Sequence, residues 1–226
     1  MRAVVLGNRD GLDSGFVGQR LRVRGFRFEA AHREEPGDWP DLGGVDLVLT
    51  LGSDWHVGAP ETAAMVDAEA AFVRDVLARQ IPLLAICFGA QVLSHALGGA
   101  VRRTATPEIG WYEPALEPAA PEVAAGPWME WHDDVFTAPT GFSVLATTAA
   151  GPQLIAGPRA VGTQFHPEAT ETMVRAWLDD GGAEQYRRRG GDPDELLAAT
   201  RAHVAASRTR AEALVDWVLE HTAAAP

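Results

Sequence analysis

The sequence contains no lysine, a single cysteine and no long apolar run. Each absence removes a class of chemistry. Without lysine there is no Schiff-base nucleophile, and no Walker-type phosphate loop, whose lysine reaches the outer phosphates. One cysteine cannot close an internal disulfide, which excludes the stapled frameworks of secreted domains. No stretch approaches the ~20 apolar residues that a membrane span requires. No secretory signal precedes the first β-rich run, so the cytoplasm is the expected location. Arginine carries all the positive charge and is outnumbered: 19 basic side chains face 31 acidic ones, for a net charge of −12 and a pI near 4.9. That balance repels phosphate backbones and argues against nucleic acid as a partner. The seven histidines show no metal-ligand spacing, and no metal or other cofactor is expected. His95, His203 and His221 fall in helical patterns and read as surface or packing residues.

At 226 residues the chain is long enough for one substantial α/β domain that buries roughly 70% of its unfolded surface without disulfides or metal. Strand and helix signals alternate through the first half. Residues 3–8 read as a strand, 14–24 as a helix with Ser14 at its N-cap, 26–32 as a strand, and 45–52 as a strand buried on both faces. Residues 60–80 form an amphipathic helix, with Pro60 near its start, acids early and arginines late. A strand at 81–86 and a helix at 88–97 follow, the helix stopped by Gly98-Gly99. Such alternation predicts a mostly parallel sheet with helices on both faces. From 101 to 168 the runs become short and β-like (109–112, 142–147, 153–156 and 160–166), with Gly157-Pro158-Arg159 as a hairpin turn. Helices return at 170–178 and 193–221. Residues 179–191, which hold Arg187-Arg188-Arg189 between glycine pairs, are expected to be an exposed loop. One domain is expected over 1–178, with a loop and helical extension over 179–226 packed on it.

The cysteine stands in Leu83-Leu84-Ala85-Ile86-Cys87-Phe88-Gly89-Ala90-Gln91, where an apolar strand pattern gives way to a helical one. A nucleophile on such a turn is exposed, and the helix N-terminus beyond it favours both a thiolate and a developing oxyanion. Phe165-His166-Pro167-Glu168 supplies the rest. Proline pushes His166 towards an extended backbone. Residues two apart in an extended chain share a face, so Glu168 can orient one imidazole nitrogen while the other serves Cys87. A lone buried cysteine is ordinarily a small core residue; the conjunction with His166 and Glu168 makes it a candidate for acyl transfer.

CFGAQ followed by FHPE resembles the class I, triad-type glutamine amidotransferases, with their G-x-C-x-G-x-Q and H-P-E motifs, over roughly residues 1–175. The resemblance implies a flavodoxin-like α/β fold, with Cys87 as nucleophile, His166 as base and Glu168 as the orienting carboxylate. It also implies close packing at Gly89, a substrate-positioning role for Gln91, and an oxyanion hole formed by the backbone of Phe88 and of the loop at Gly52 and Ser53. Two departures are visible. Ala85 replaces the usual first glycine, and Ser53 replaces a second loop glycine, although serine resists positive φ. A further stretch, Trp128-Met129-Glu130-Trp131-His132-Asp133-Asp134-Val135-Phe136, resembles one lying beside the glutamine pocket in guanylate-synthase-type domains. There His132 and Asp134 are candidates for substrate positioning, and Gly110-Trp111 reads as packing.

The resemblance implies hydrolysis of the glutamine side-chain amide through a glutamyl thioester, with ammonia passed to a synthase. No synthase domain follows Glu168, so a separate synthase subunit is the expected partner. Two alternatives are a γ-glutamyl amide or peptide hydrolase acting alone and a non-catalytic regulatory subunit of the same fold. An intact Cys87, His166, Glu168 and Gln91 counts against the regulatory subunit.

Overall fold

In the computed structural model, which describes residues 1–224, strand β1 (Arg2–Gly7) sends alternate side chains into two apolar layers. Ala3 and Val5 enter one layer, and Val4 and Leu6 the other. A strand apolar at every position is one buried on both faces. Strands β3 (Leu47–Thr50) and β4 (Leu83–Ile86) repeat the pattern, with no residue exposed in either. Together with β2 (Arg27–His32) and β10 (Ala160–Thr163) they form the parallel part of the sheet, in the order β2-β1-β3-β4-β10. Strands β9 (Pro152–Gly157), β8 (Ser143–Thr147) and β6 (Ala115–Leu116) continue it antiparallel.

Helices cover both faces. On one, α1 (Gly15–Val23) and α6 (Pro193–Ala224) bury Phe16, Leu21, Leu214 and Val218 against the sheet. On the other, α2 (Ala63–Ala78) and α3 (Phe88–Ala96) bury Val66, Ala70, Val73 and Val92. Each large aliphatic side chain so buried contributes ~1.5–3 kcal/mol. The fold class expected from the sequence is the one observed. Among the described residues no helix is long and apolar enough to cross a membrane.

Two corrections concern the second half. Strands β5 (Val101–Tyr112) and β7 (Trp128–Phe136) form a separate antiparallel ribbon and are longer than the short runs expected. The polar, proline-containing start of β5 hides it: the register shifts between Arg103 and Glu108, an irregularity that tolerates Pro107. Residues 179–191 are not simply a loop. They contain α5 (Ala183–Arg188), which packs with α4 (Glu171–Trp177) and the start of α6 over the ribbon, around Ile109, Met129, Val174 and Leu196. The last two residues of the expected extension, 225 and 226, lie outside the described residues.

The histidines set aside above are placed accordingly. His95 is exposed, His203 packs on Trp111 and His221 stacks on Trp217.

Candidate active site

Cys87 ends β4 and caps α3 at φ 50° and ψ −108°. Its N–H continues the sheet, donating to Thr163 O at 2.7 Å, while the next residues begin the helix. A non-glycine residue at positive φ costs about 1–3 kcal/mol and persists only where the surroundings enforce it. Here β4 and α3 enforce it from either side. Gly89 lets the turn lie this close: a Cβ there would sit 2.3 Å from Thr50 Oγ1 and 2.8 Å from Thr50 O. The first N–H groups of α3, that of Phe88 foremost, have no carbonyl four residues back and stay available at the thiol.

His166 and Glu168 follow β10, which pairs in parallel with β4, so all three residues meet at one edge of the sheet. His166 Nδ1 bonds Glu168 Oε1 at 2.7 Å. The backbone is not the extended one expected. Pro167 and Glu168 form a turn, in which Ala169 N–H donates to His166 O, and the turn brings the carboxylate onto the ring. Two outside contacts fix the turn. His166 N–H donates to Met129 O on β7, and Phe16 N–H at the start of α1 donates to Glu168 O. Gly15 is obligatory there, with φ +44° and room for no Cβ, which would fall 1.8 Å from Glu168 O.

His166 Nε2 is buried and has no hydrogen-bond partner among the described residues. Burial alone would push the imidazole towards its neutral form. The charges of Glu168 and Cys87 outweigh it, and His166 holds its proton well above the ordinary range. The thiol is buried rather than exposed as the turn predicts; it is contacted by the Gln164 amide (Nε2 to Sγ, 3.5 Å) and lies 3.9 Å from Trp131 O. Trp177 packs on the imidazole with its ring centre 4.9 Å away.

The loop at Gly52 and Ser53, expected to supply a second oxyanion donor, lies beside both His166 and Cys87. A Cβ built on Gly52 would stand 2.9 Å from His166 Cε1 and 3.6 Å from Cys87 Cβ. Ser53 is not among the residues at positive φ, so serine fits this loop without strain. Gly52→Ala is expected to displace the imidazole, lowering turnover about 10²-fold and stability by about 1–3 kcal/mol, as read by steady-state kinetics and thermal unfolding.

The other residues singled out in the sequence are brought together, but not all with free polar atoms. The Gln91 amide is buried behind the thiol, donating to Asp134 O at 3.4 Å and to Gln164 Oε1 at 3.5 Å. His132 spends both ring nitrogens inside the protein, Nδ1 on Asp134 O (3.0 Å) and Nε2 on Glu108 Oε2 (3.1 Å). The Asp134 carboxylate receives His56 Nδ1–H at 3.0 Å, and Arg103 caps His56 Nε2. Arg189, expected on a solvated loop, ion-pairs with Asp133 beside Asp134. Trp131 Nε1–H donates to Gln185 Oε1 of α5 at 3.2 Å, so the extension forms part of the site's wall.

Sequence reasoning missed Gln164, Arg33, Glu69, Glu108 and Glu130. A signal existed for Glu69, which falls three residues after Val66 and four before Val73, on the apolar stripe of α2. Glu108, Glu130 and His132 bring ligating atoms within 4.8 Å of one another, which their spacing in sequence does not suggest. Glu108 Oε2 accepts from Thr148, Gln153 and His132, whereas both Glu130 oxygens are buried without a hydrogen-bond partner among the described residues.

Burial pushes the Glu130 carboxyl up to about 7 despite His132 beside it. For His132, burial works the other way and is outweighed by Glu108 and Glu130, which raise it to about 10. Between pH 4.5 and 7 the folded protein therefore keeps a proton at Glu130 that the unfolded chain has released, and stability falls as pH rises through that window. In Glu130→Gln this share of the slope, up to about 1.4 kcal/mol per pH unit, is expected to vanish. Denaturant unfolding at a series of pH values reads it.

Fold and site together define a class: an α/β protein whose parallel strands present a thiol, an imidazole and a carboxylate at one edge. The chain belongs to the class-I glutamine amidotransferases, an enzyme family whose model matches residues 55–181. It is 35% identical over 143 residues to a glutamine-hydrolysing GMP synthase of Corynebacterium diphtheriae, a match covering 58% of this chain and 27% of that protein. With the same enzyme of Corynebacterium efficiens it shares 28% identity over 202 residues, 83% of this chain and 37% of the relative. The chain thus spans about a third of the length of these curated relatives. A crystal structure of a glutamine amidotransferase from Thermotoga maritima superposes with a TM-score of 0.84 at 23% identity, over 97% of this chain and 98% of that one. At that identity the likeness is one of fold.

Proposed function

We propose that this protein hydrolyses the side-chain amide of glutamine at Cys87 and delivers the ammonia to a separate synthase subunit. The observation that carries the reading is His166, bound to Glu168 through Nδ1, with its buried Nε2 left to the thiol of a positive-φ turn, whose charge helps hold the imidazole proton. With the Cys87 proton held on His166, Sγ attacks the amide carbon, and the carbonyl electrons move onto oxygen, which the backbone N–H groups of Phe88 and of Gly52 or Ser53 stabilise until the C=O re-forms. The imidazolium of His166 donates its proton to the leaving nitrogen as the C–N bond breaks, giving ammonia and a γ-glutamyl thioester. Water then attacks the thioester, His166 takes its proton, and the C–S bond breaks to release glutamate and restore the thiol. Glu168 holds the imidazole tautomer and stabilises its charge. Gln91 and Gln164 brace the thiol from behind. The carboxylates of Asp133 and Asp134 and the guanidinium of Arg103 stand at the wall formed by β5 and β7, where the charged end of an amino acid can be recognised.

Support for a synthase partner comes from the relatives, whose name joins glutamine hydrolysis to GMP synthesis in a longer protein. The test is to follow ammonia and glutamate release from glutamine and from a panel of γ-glutamyl amides, alone and with candidate synthases. Glutamine turnover raised by a synthase supports the proposal. Turnover of γ-glutamyl peptides alone replaces the partner with a free-standing hydrolase. No turnover of any substrate under either condition returns the chain to a non-catalytic regulatory role.

A further inference from the structure

Arg33, which follows β2, is fully buried and pairs with an equally buried Glu69 of α2, Nε to Oε2, at 2.6 Å. Two fully desolvated charges so close to the thiol call for a function, because a buried ion pair is rarely a net gain over apolar packing. The remaining donors of the guanidinium show where it acts. Nη2 donates to Leu51 O at 2.9 Å and Nη1 to Gly52 O at 3.3 Å, while Nη1 also donates to Asn8 Oδ1 at 2.7 Å. The guanidinium carbon lies 4.8 Å above the centre of the Phe88 ring.

In a trans peptide the C=O of one residue and the N–H of the next point in opposite directions. When Arg33 holds the carbonyls of Leu51 and Gly52, it turns the N–H groups of Gly52 and Ser53 away from itself, and a Cβ on Gly52 would meet His166 and Cys87, so the loop passes directly beside both. A cation on the carbonyl end also polarises both peptides, making their N–H groups better donors to a developing negative charge. The same guanidinium packs on Phe88, whose own N–H is the donor on the other side of the carbonyl under attack.

We propose that Arg33, locked by Glu69, is a positioning residue that aims and polarises both halves of the oxyanion hole. The inference rests on the glutamine-hydrolysis reading. Arginine suits the role because only its planar fork reaches a carboxylate and two adjacent carbonyls at once. It touches no substrate and acts through the loop and Phe88.

Three measurements on Arg33→Lys and on the double variant Arg33→Met/Glu69→Met test it. The double variant removes both buried charges together and is the one chosen to stay folded, checked by thermal unfolding. Glutamine hydrolysis reads the oxyanion hole. Alkylation of Cys87 by iodoacetamide, a displacement at carbon that forms no oxyanion, reads the thiol and imidazole alone. A crystal structure of the double variant reads the direction of the Gly52–Ser53 peptide. The expected result is a 10²–10³-fold loss of kcat with KM and alkylation rate each within about threefold of wild type, and a rotated peptide. Hydrolysis preserved in the folded double variant overturns the proposal, as does a parallel fall of hydrolysis and alkylation. An unrotated peptide overturns it independently of activity. Wild-type protein inert towards glutamine and γ-glutamyl amides, with and without a synthase, overturns the functional reading instead, leaving the peptide direction to decide the role of Arg33.

Discussion

Replacing Cys87 with alanine is expected to lower glutamine hydrolysis by about 10⁴-fold or more, because no other group of the site can form the thioester. The fold should survive, since the thiol's contacts with Gln164 and the Trp131 carbonyl are long, at 3.5 and 3.9 Å. The backbone supplies a sharper form of the same test. At φ 50° alanine stays strained, whereas glycine reaches this conformation freely. Cys87→Gly should therefore be as inactive as Cys87→Ala yet more stable by about 1 kcal/mol, the strain relieved less the entropy glycine adds to the unfolded chain. Inactivity with gained stability is the mark of a residue kept for chemistry against the preference of the fold. A glycine variant less stable than the alanine one by about 0.4–1 kcal/mol, the entropy term alone, would mean that the turn stores no strain. Thermal or denaturant unfolding of the pair, alongside an ammonia assay, gives both numbers.

Glu168→Gln is expected to lower kcat/KM by about 10²–10⁴-fold and to reshape the pH profile. The isosteric amide leaves the turn at Pro167 intact but removes the charge that, with Cys87, keeps His166 protonated against its burial. The proton then leaves His166 at lower pH. Because the imidazolium is the proton donor in the proposed reaction, the alkaline limb of the activity profile moves to lower pH in the variant. A kcat/KM profile from about pH 6 to about pH 10 measures the shift, since its limbs report the essential acid and base of the free enzyme. A variant with reduced activity and an unmoved alkaline limb would show that Glu168 acts only as a packing residue.

The parts of this account legible in the sequence are those encoded locally. Alternating apolar runs gave β1, β3 and β4, and the change of period after Ile86 gave the turn at Cys87. His166 and Glu168 could be paired from their spacing, although a turn rather than an extended strand joins them. Illegible were the groups whose meaning depends on distant chain. Arg33 stands in His32-Arg33-Glu34-Glu35, which looks like a solvated charge run, until β2 and β3 bring it beneath the Gly52 carbonyl. Gln164 meets the thiol only because β10 lies next to β4. The reverse error is His132. Its motif suggested a substrate contact, and the ribbon instead turns both ring nitrogens to Glu108 and the Asp134 carbonyl. Helix α5 escaped notice because glycine pairs flank six helical residues, too few to show a period.

The central claim is that Cys87 forms a covalent γ-glutamyl intermediate. Its most direct test is intact-protein mass spectrometry after incubation with a diazoketone analogue of glutamine, which alkylates a nucleophile seated in a glutamine pocket. One adduct per chain is expected, on Cys87, formed in step with loss of glutamine hydrolysis, slowed by excess glutamine and absent from Cys87→Ala. Labelling that persists in Cys87→Ala, or no labelling of a wild-type protein that turns over glutamine, would contradict it.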